Sequence, residues 1–159
     1  MNDVFKLLDN LAIPYTKYDH PAVFTVEEAD KYVSPTKACH SKNLFVCNKK
    51  KTIYYLIVME AHKKADLKNI ASLIGSERLS FAVPDKLLHF LGLTPGAVSP
   101  FGLINDKKHE VIVVIDTEFL QQELLGFHPN LNTATIVINN NDFKKYLTRT
   151  RNKIIFINI

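Results

Sequence analysis

The sequence predicts a mixed α/β fold, on three observations. Helix-spaced and strand-like segments alternate along the 159 residues. Two apolar runs, 111–115 and 135–138, have the length and β-branched content of buried strands. No segment repeats or is of low complexity. The composition agrees: 47% hydrophobic and 23% charged residues are globular values and argue against a disordered or coiled-coil chain. The length suits one compact domain, 1–159, rather than two.

Each element has a local reason. Val4, Leu7, Leu8 and Leu11 recur at helical spacing, and Pro14 stops that helix by disfavouring the α conformation before it. Thr25 with Glu28 has the form of a capping box opening a second helix. The β-prone runs 43–46 and 53–59 flank Asn48, Lys49, Lys50 and Lys51 and predict an antiparallel hairpin. Asp66 caps a helix whose inward residues are Leu67, Ile70, Ala71 and Leu73, with Gly75 as its stop. Pro84 suits the first turn of another, with Leu87, Leu88 and Leu91 inward and Gly92 at its end. Residues 142–147 read as helix and 154–157 as a last strand. The stretch 92–106, with two prolines and three glycines, is the longest irregular piece, and long loops in compact domains are often functional.

Charge and composition bound the function. The net charge of +4 permits a polyanionic partner such as RNA without demanding one. Basic residues cluster at 49–51, 63–64, 107–108 and near the C-terminus. There Lys144, Lys145, Arg149 and Arg151 form the best candidate for a phosphate-facing patch, against the plain alternative of a solvated surface. Two cysteines, Cys39 and Cys47, are too few for a disulfide scaffold and read as reduced thiols. The first residues lack the pattern of a secretory signal, and the longest uncharged apolar stretch, 53–59, is far short of the ~20 residues of a membrane helix. The expected place is therefore the cytoplasm, with no membrane partner.

Several chemistries lack their motif: G-x-G-x-x-G, the Walker loop, H-E-x-x-H, C-x-x-C and G-x-S-x-G do not occur. Cys39, His40 and Cys47 match no standard zinc spacing, so no metal is expected. Three segments nevertheless look too particular for packing alone. The first is 20–25, HPAVFT. The second is 41–45, SKNLF, where Lys42 enters an apolar strand: it either snorkels to water or points into a pocket that holds an anion or polarises a carbonyl. The third joins 96–102, GAVSPFG, to FHPN at 127–130. Its glycines and prolines either make turns or aim backbone N–H groups at an oxyanion.

Together these strings resemble the prolyl-tRNA editing family, the YbaK-like aminoacyl-tRNA deacylases, with the freestanding branch related to the insertion domain of bacterial prolyl-tRNA synthetase as the nearest. In order they are HPAVFTVEEA (20–29), SKNLF (41–45), DLK (66–68), LSFA (79–82), PGAVSPFGLIND (95–106, with Leu91 and Gly92 before it) and FHPNLNTAT (127–135). The resemblance implies a barrel-like, largely antiparallel sheet with surrounding helices. It implies hydrolysis of the ester of mischarged tRNA(Pro), most typically alanyl-tRNA(Pro), sparing prolyl-tRNA(Pro), without cofactor, metal or covalent protein nucleophile. The terminal adenosine hydroxyl and an ordered water are then the reacting groups. The family's pocket lysine falls on Lys42 and its G-x-x-x-P loop on Gly96 and Pro100. Lys42, Gly96 and His128 are the candidate catalytic residues, with Lys42 in a positioning role and His128 either orienting the water or capping its loop. Thr25, Asn43, Val98, Ser99, Pro100 and Phe101 are the candidate substrate-binding residues, and Ala97, Val98, Pro100 and Phe101 are expected to wall a small pocket. The implied partners are tRNA(Pro) carrying a small amino acid and prolyl-tRNA synthetase. Two alternatives stay open: a non-catalytic tRNA-binding or amino-acid-sensing module of the same fold, and a deacylase for cysteinyl-tRNA(Pro).

Overall fold

A computed structural model describes residues 3–159, so Met1 and Asn2, part of the N-terminal signal reading, lie outside the described residues. Six α-helices and eight strands follow one another: α1 (Asp3–Asn10), β1 (Thr16–Asp19), α2 (Val26–Val33), β2 (Cys39–Cys47), β3 (Tyr54–Glu60), α3 (Leu67–Ile74), β4 (Ser80–Phe81), α4 (Pro84–Leu91), β5 (Ile112–Asp116), α5 (Thr117–Leu120), β6 (Leu124–Phe127), β7 (Ala134–Asn139), α6 (Asn140–Thr150) and β8 (Ile154–Ile157). Short 3-10 turns cover Ser34–Thr36 and Pro100–Asn105. The caps read from the sequence are in place. Thr25 Oγ1 accepts from Glu28 N–H at 3.1 Å, and Asp66 accepts from Asn69 N–H at 3.2 Å. Gly75 and Gly92 end α3 and α4 with φ of 70° and 65°.

The fold is mixed α+β, with helices around an eight-stranded sheet ordered β1-β7-β6-β2-β3-β5-β8, and β4 added to β2. The sheet is not closed: it ends at β1 and β8. Four pairings are antiparallel and three are parallel. The parallel pairs follow from the continuous apolar runs. A strand buried on both faces suits a crossover connection, and β5 lies parallel to both β3 and β8.

Strand alternation divides the core in two. Tyr54, Leu56 and Val58 of β3 face the larger cluster with Phe101, Phe127 and Tyr146, while Tyr55, Ile57 and Met59 face a smaller one with Ile70 and Ala71 of α3. Two residues read as inward face out. Leu73 is 47% exposed on α3, and Leu88 is 58% exposed on α4. A short helix seated on a sheet buries a narrower stripe than the full i, i+3, i+4 set.

The strand β2 positions everything that follows. One edge pairs with β3 along 41–47. Its other edge pairs with β6 at Cys39 and His40, and with β4 at Val46 and Cys47. Between them, residues 41–44 have no strand on that side among the described residues, so the sheet carries a split.

The exposed and buried members of α3 give a direct check. Ile70→Ala should lower unfolding free energy by about 2–4 kcal/mol, and Leu73→Ala by under about 1 kcal/mol, in urea denaturation.

Candidate active site

A cavity of about 230 Å³ opens at the split in the sheet. Its floor is β2 at His40, Ser41, Lys42 and Asn43. One wall is the entry to α2, with Val23, Phe24, Thr25, Val26 and Ala29. The other is Gly96 and Val98 of the long loop, with His128 just after β6. The helix α2 is tied to the hairpin by His62, whose Nε2 lies 2.8 Å from Asp30 Oδ2 and whose Nδ1 lies 2.9 Å from Glu60 Oε1. Those bonds raise the His62 pKa, so this tether is fully present below the ordinary histidine range and is lost as pH rises through the raised value. His62 is largely exposed, which keeps its contribution small.

Lys42 Nζ donates to the Lys63 carbonyl. Lys63 is in turn pinned by its own ammonium, which reaches Asp116 Oδ2 and Glu118 Oε2 at 2.8 Å each. Asp116 is fully buried, so the pair anchors the turn that carries the Lys42 acceptor. Gly96 holds φ of +91°, and a Cβ there would come 3.2 Å from the Phe24 ring. Phe24, 71% exposed, thus lies across the loop at the cavity mouth.

Three imidazoles gather at the inner end. The His40 and His128 rings stand edge to face at 5.6 Å, and His20 lies 6.4 Å from His128. His20 is satisfied: Nδ1 is 2.9 Å from the Pro21 carbonyl and Nε2 is 2.9 Å from Thr135 Oγ1, while Tyr32 stacks on its ring at 5.1 Å. His128 Nδ1 lies 3.1 Å from the Ala134 carbonyl, which can only accept; Nδ1 therefore carries the proton and Nε2 the lone pair. Burial pushes the His128 pKa below its ordinary value, with His20 adding to the effect. Burial also takes His40 down to about 4, with His128 next in effect. His40 and His128 are therefore neutral at pH 7.

Of the residues expected in the site, Thr25, Lys42, Asn43, Gly96, Val98 and His128 line this one cavity. Ser99, Pro100 and Phe101 do not line it; they are buried behind it. Ser99 Oγ caps the 3-10 turn through Phe101 N–H at 3.2 Å, and the Phe101 ring packs 4.8 Å from Tyr146. The Pro100 carbonyl accepts from Tyr146 Oη at 2.7 Å. The apolar wall is formed by Val98 with Val23, Val26 and Ala29, not by Pro100 and Phe101. Proline and serine here secure a tight turn, and the ring that follows turns into the core. The loop's N–H groups are also partly spent: Ala97 donates to Thr94 O at 3.1 Å and Gly102 to Ser99 O at 3.0 Å. Lys144, Lys145 and Arg149 are exposed on α6, with Arg151 just beyond it. Lys145 Nζ is engaged with Leu11 O at 2.6 Å, while Arg149 and Arg151 line a second groove with Lys107 and His109.

His40 was the residue most readily missed. The sequence held one signal for it: two residues before Lys42 on a strand, it shares the lysine's face. Cys39 beside it is no nucleophile, because burial, with the Glu60 charge, pushes its thiol up to about 11. Among the described residues, no group of three or more His, Cys, Asp or Glu is placed to hold a metal ion, and no helix is long and apolar enough to cross a membrane.

A family model described as an aminoacyl-tRNA editing domain matches residues 20–146. The chain belongs to that family. It is 41% identical over 149 residues to the prolyl-tRNA editing protein ProX of Acetoanaerobium sticklandii, covering 94% of this chain and 91% of that protein. It is 35% identical over 152 residues to the prolyl-tRNA synthetase associated domain-containing protein 1 of Bos taurus, covering 93% and 88%. A crystal structure described as a candidate trans-editing enzyme for prolyl tRNA synthetase superposes with a TM-score of 0.72 at 17% identity, covering 100% of this chain and 98% of that one, which shows the shared fold. The chemistry of this editing domain is aminoacyl-tRNA deacylation, the hydrolysis of the ester that joins an amino acid to tRNA.

The buried His40 ring has a measurable consequence. The His40 pKa is lowered in the folded state, so the unfolded chain binds its proton first as pH falls. The stabilising effect is complete above about 6.5 and is lost progressively towards pH 4, by about 3 kcal/mol. Chemical denaturation at pH 7 and 4.5 should show a larger acid loss for wild type than for His40→Gln.

Proposed function

We propose that this protein edits tRNA(Pro) in trans, hydrolysing the alanyl ester and sparing the prolyl one. The observation that carries the reading is the convergence of Lys42, Gly96 and His128 on one cavity at the split in the sheet. Its relative ProX is a prolyl-tRNA editing protein, which supports the choice of tRNA.

Each group has a role its surroundings suit. The Lys42 ammonium, at the cavity floor, binds the phosphate of the terminal adenosine and so fixes the ester's position. The His128 Nε2 lone pair accepts a hydrogen bond from the attacking water, and its neutral state keeps that lone pair available at pH 7. Val23, Val26, Ala29 and Val98 form a close apolar wall for the amino-acid side chain. Alanine's methyl fits such a wall. Proline's ring must push into it, and overpacking a packed wall costs about 1–3 kcal/mol, occasionally more, against the prolyl ester. The basic groups around α6 receive the tRNA backbone, and prolyl-tRNA synthetase is the source of the mischarged substrate.

Initial rates on alanyl-, cysteinyl- and prolyl-tRNA(Pro) at equal concentration test the reading. Alanyl ester should be cleaved and prolyl ester spared; equal rates on both would overturn the size argument, and preference for the cysteinyl ester would reassign the substrate. Lys42→Ala should lower deacylation by about 10²-fold with the circular dichroism unchanged. Neutralising Lys144, Lys145, Arg149 and Arg151 together should raise KM more than it lowers kcat, with weaker binding as salt rises.

A further inference from the structure

We propose that His40 donates a hydrogen bond from Nε2–H to the carbonyl oxygen of the ester, its ring held in that tautomer by a close seat over Gly126. This rests on the deacylation reading of the same cavity. His40 is only 8% exposed, yet it lines the cavity beside Lys42. Its partner in the parallel pairing of β2 and β6 is Gly126. A Cβ at 126 would stand 3.0 Å from His40 Nδ1, so the ring occupies the space that the glycine leaves empty.

The proton's place follows from hydrogen bonding. His40 Nδ1 is buried with no partner. A proton there would be a buried donor with nothing to receive it, whereas a bare lone pair is the milder loss. The proton therefore sits on Nε2. His128 is fixed the other way, with its Nδ1 proton given to Ala134 O. His20 spends both nitrogens on Pro21 and Thr135. Of the three imidazoles, His40 alone has an uncommitted N–H. The N–H groups of Ala97 and Gly102 are taken up within the loop.

The step balances as a hydrolysis. The water oxygen bonds to the carbonyl carbon, and the carbonyl π pair moves to the oxygen that His40 holds. The water's proton passes to His128 Nε2 and on to the departing ribose oxygen as the ester C–O bond breaks. The products are a free amino acid and a tRNA with a free terminal hydroxyl. A neutral N–H can stabilise the oxyanion without surrendering its proton. Beside Cys39 and Lys42, the groups whose charge acts on His40 are His128, Asp30, His20 and His62; burial first and then His128 outweigh Asp30 and keep the ring neutral.

Nitrogen-15 NMR of the free protein should find His40 neutral with the proton on Nε2 between pH 6 and 8, and His128 with it on Nδ1. A charged ring, or a proton on Nδ1 of His40, would overturn the inference whatever the activity. In kinetics, His40→Ala should cut kcat by about 10²-fold, the effect of losing one oxyanion donor, with KM changed by under about threefold. His40→Gln, whose amide N–H reaches the place of Nε2, should recover part of that loss. Gly126→Ala should slow the wild type by pushing the ring, yet add nothing in a His40→Ala background. Losses that multiply would mean that Gly126 acts independently, and the seat is wrong. An active wild type with an equally active His40→Ala would sink this inference alone. A wild type inactive on every aminoacyl-tRNA would sink the deacylation reading itself, leaving the tautomers to judge the seat.

Discussion

One strand shared between two partners on the same edge is the constraint on which the site depends. The strand β2 is long enough to pair with β6 at its start and β4 at its end, but the two partners leave 41–44 between them without a neighbour. Unpaired backbone is costly when buried, so such a gap is either filled by side chains or opened to a ligand. Here α2 and the Gly96 loop lean over it and leave a cavity. The strand thus supplies rigidity from its unbroken pairing with β3 and access from its broken edge.

Around that cavity, charge is managed by burial and by anchoring. Lys63 gives its ammonium to buried Asp116 and its carbonyl to Lys42, so a structural ion pair holds the acceptor of the Lys42 ammonium. The histidines behave differently from this cation. Burial lowers the pKa of both His40 and His128, and the bond from His128 Nδ1 to the Ala134 carbonyl fixes which of its nitrogens carries the proton. An ester hydrolase gains from this pairing. In the proposed reaction the cation serves the phosphate, while neutral imidazoles serve as a donor and an acceptor at the carbon under attack.

The proposed roles in selectivity and catalysis fall on different elements. The apolar lining comes largely from the entry to α2 and from Val98, whereas His40, Lys42 and His128 come from β2 and the turn after β6. The tether from His62 to Asp30 and Glu60 joins α2 to the end of β3 from outside the cavity. Pro100 and Phe101 act one layer back, where Phe101 packs on Phe127 and Tyr146 and gives the loop a firm base.

Local chemistry was legible in the sequence wherever it was self-contained. The caps at Thr25 and Asp66, the stops at Gly75 and Gly92, and the hairpin of β2 and β3 depend on neighbours a few residues away. The strings around Lys42, Gly96 and His128 were enough to place the family. The short strands β1, β4 and β6 were not legible, since two to four residues carry too little periodicity to declare themselves. Nor was the outward turn of Leu73 and Leu88, which depends on how far each helix sinks onto the sheet. The split in the sheet, the burial of Phe101 and the seat of His40 over Gly126 join residues tens of positions apart. The sequence by itself determined which side chains were available to act; the tertiary structure decided which of them share a cavity, because pairing between distant strands, and not any local preference, sets who faces whom.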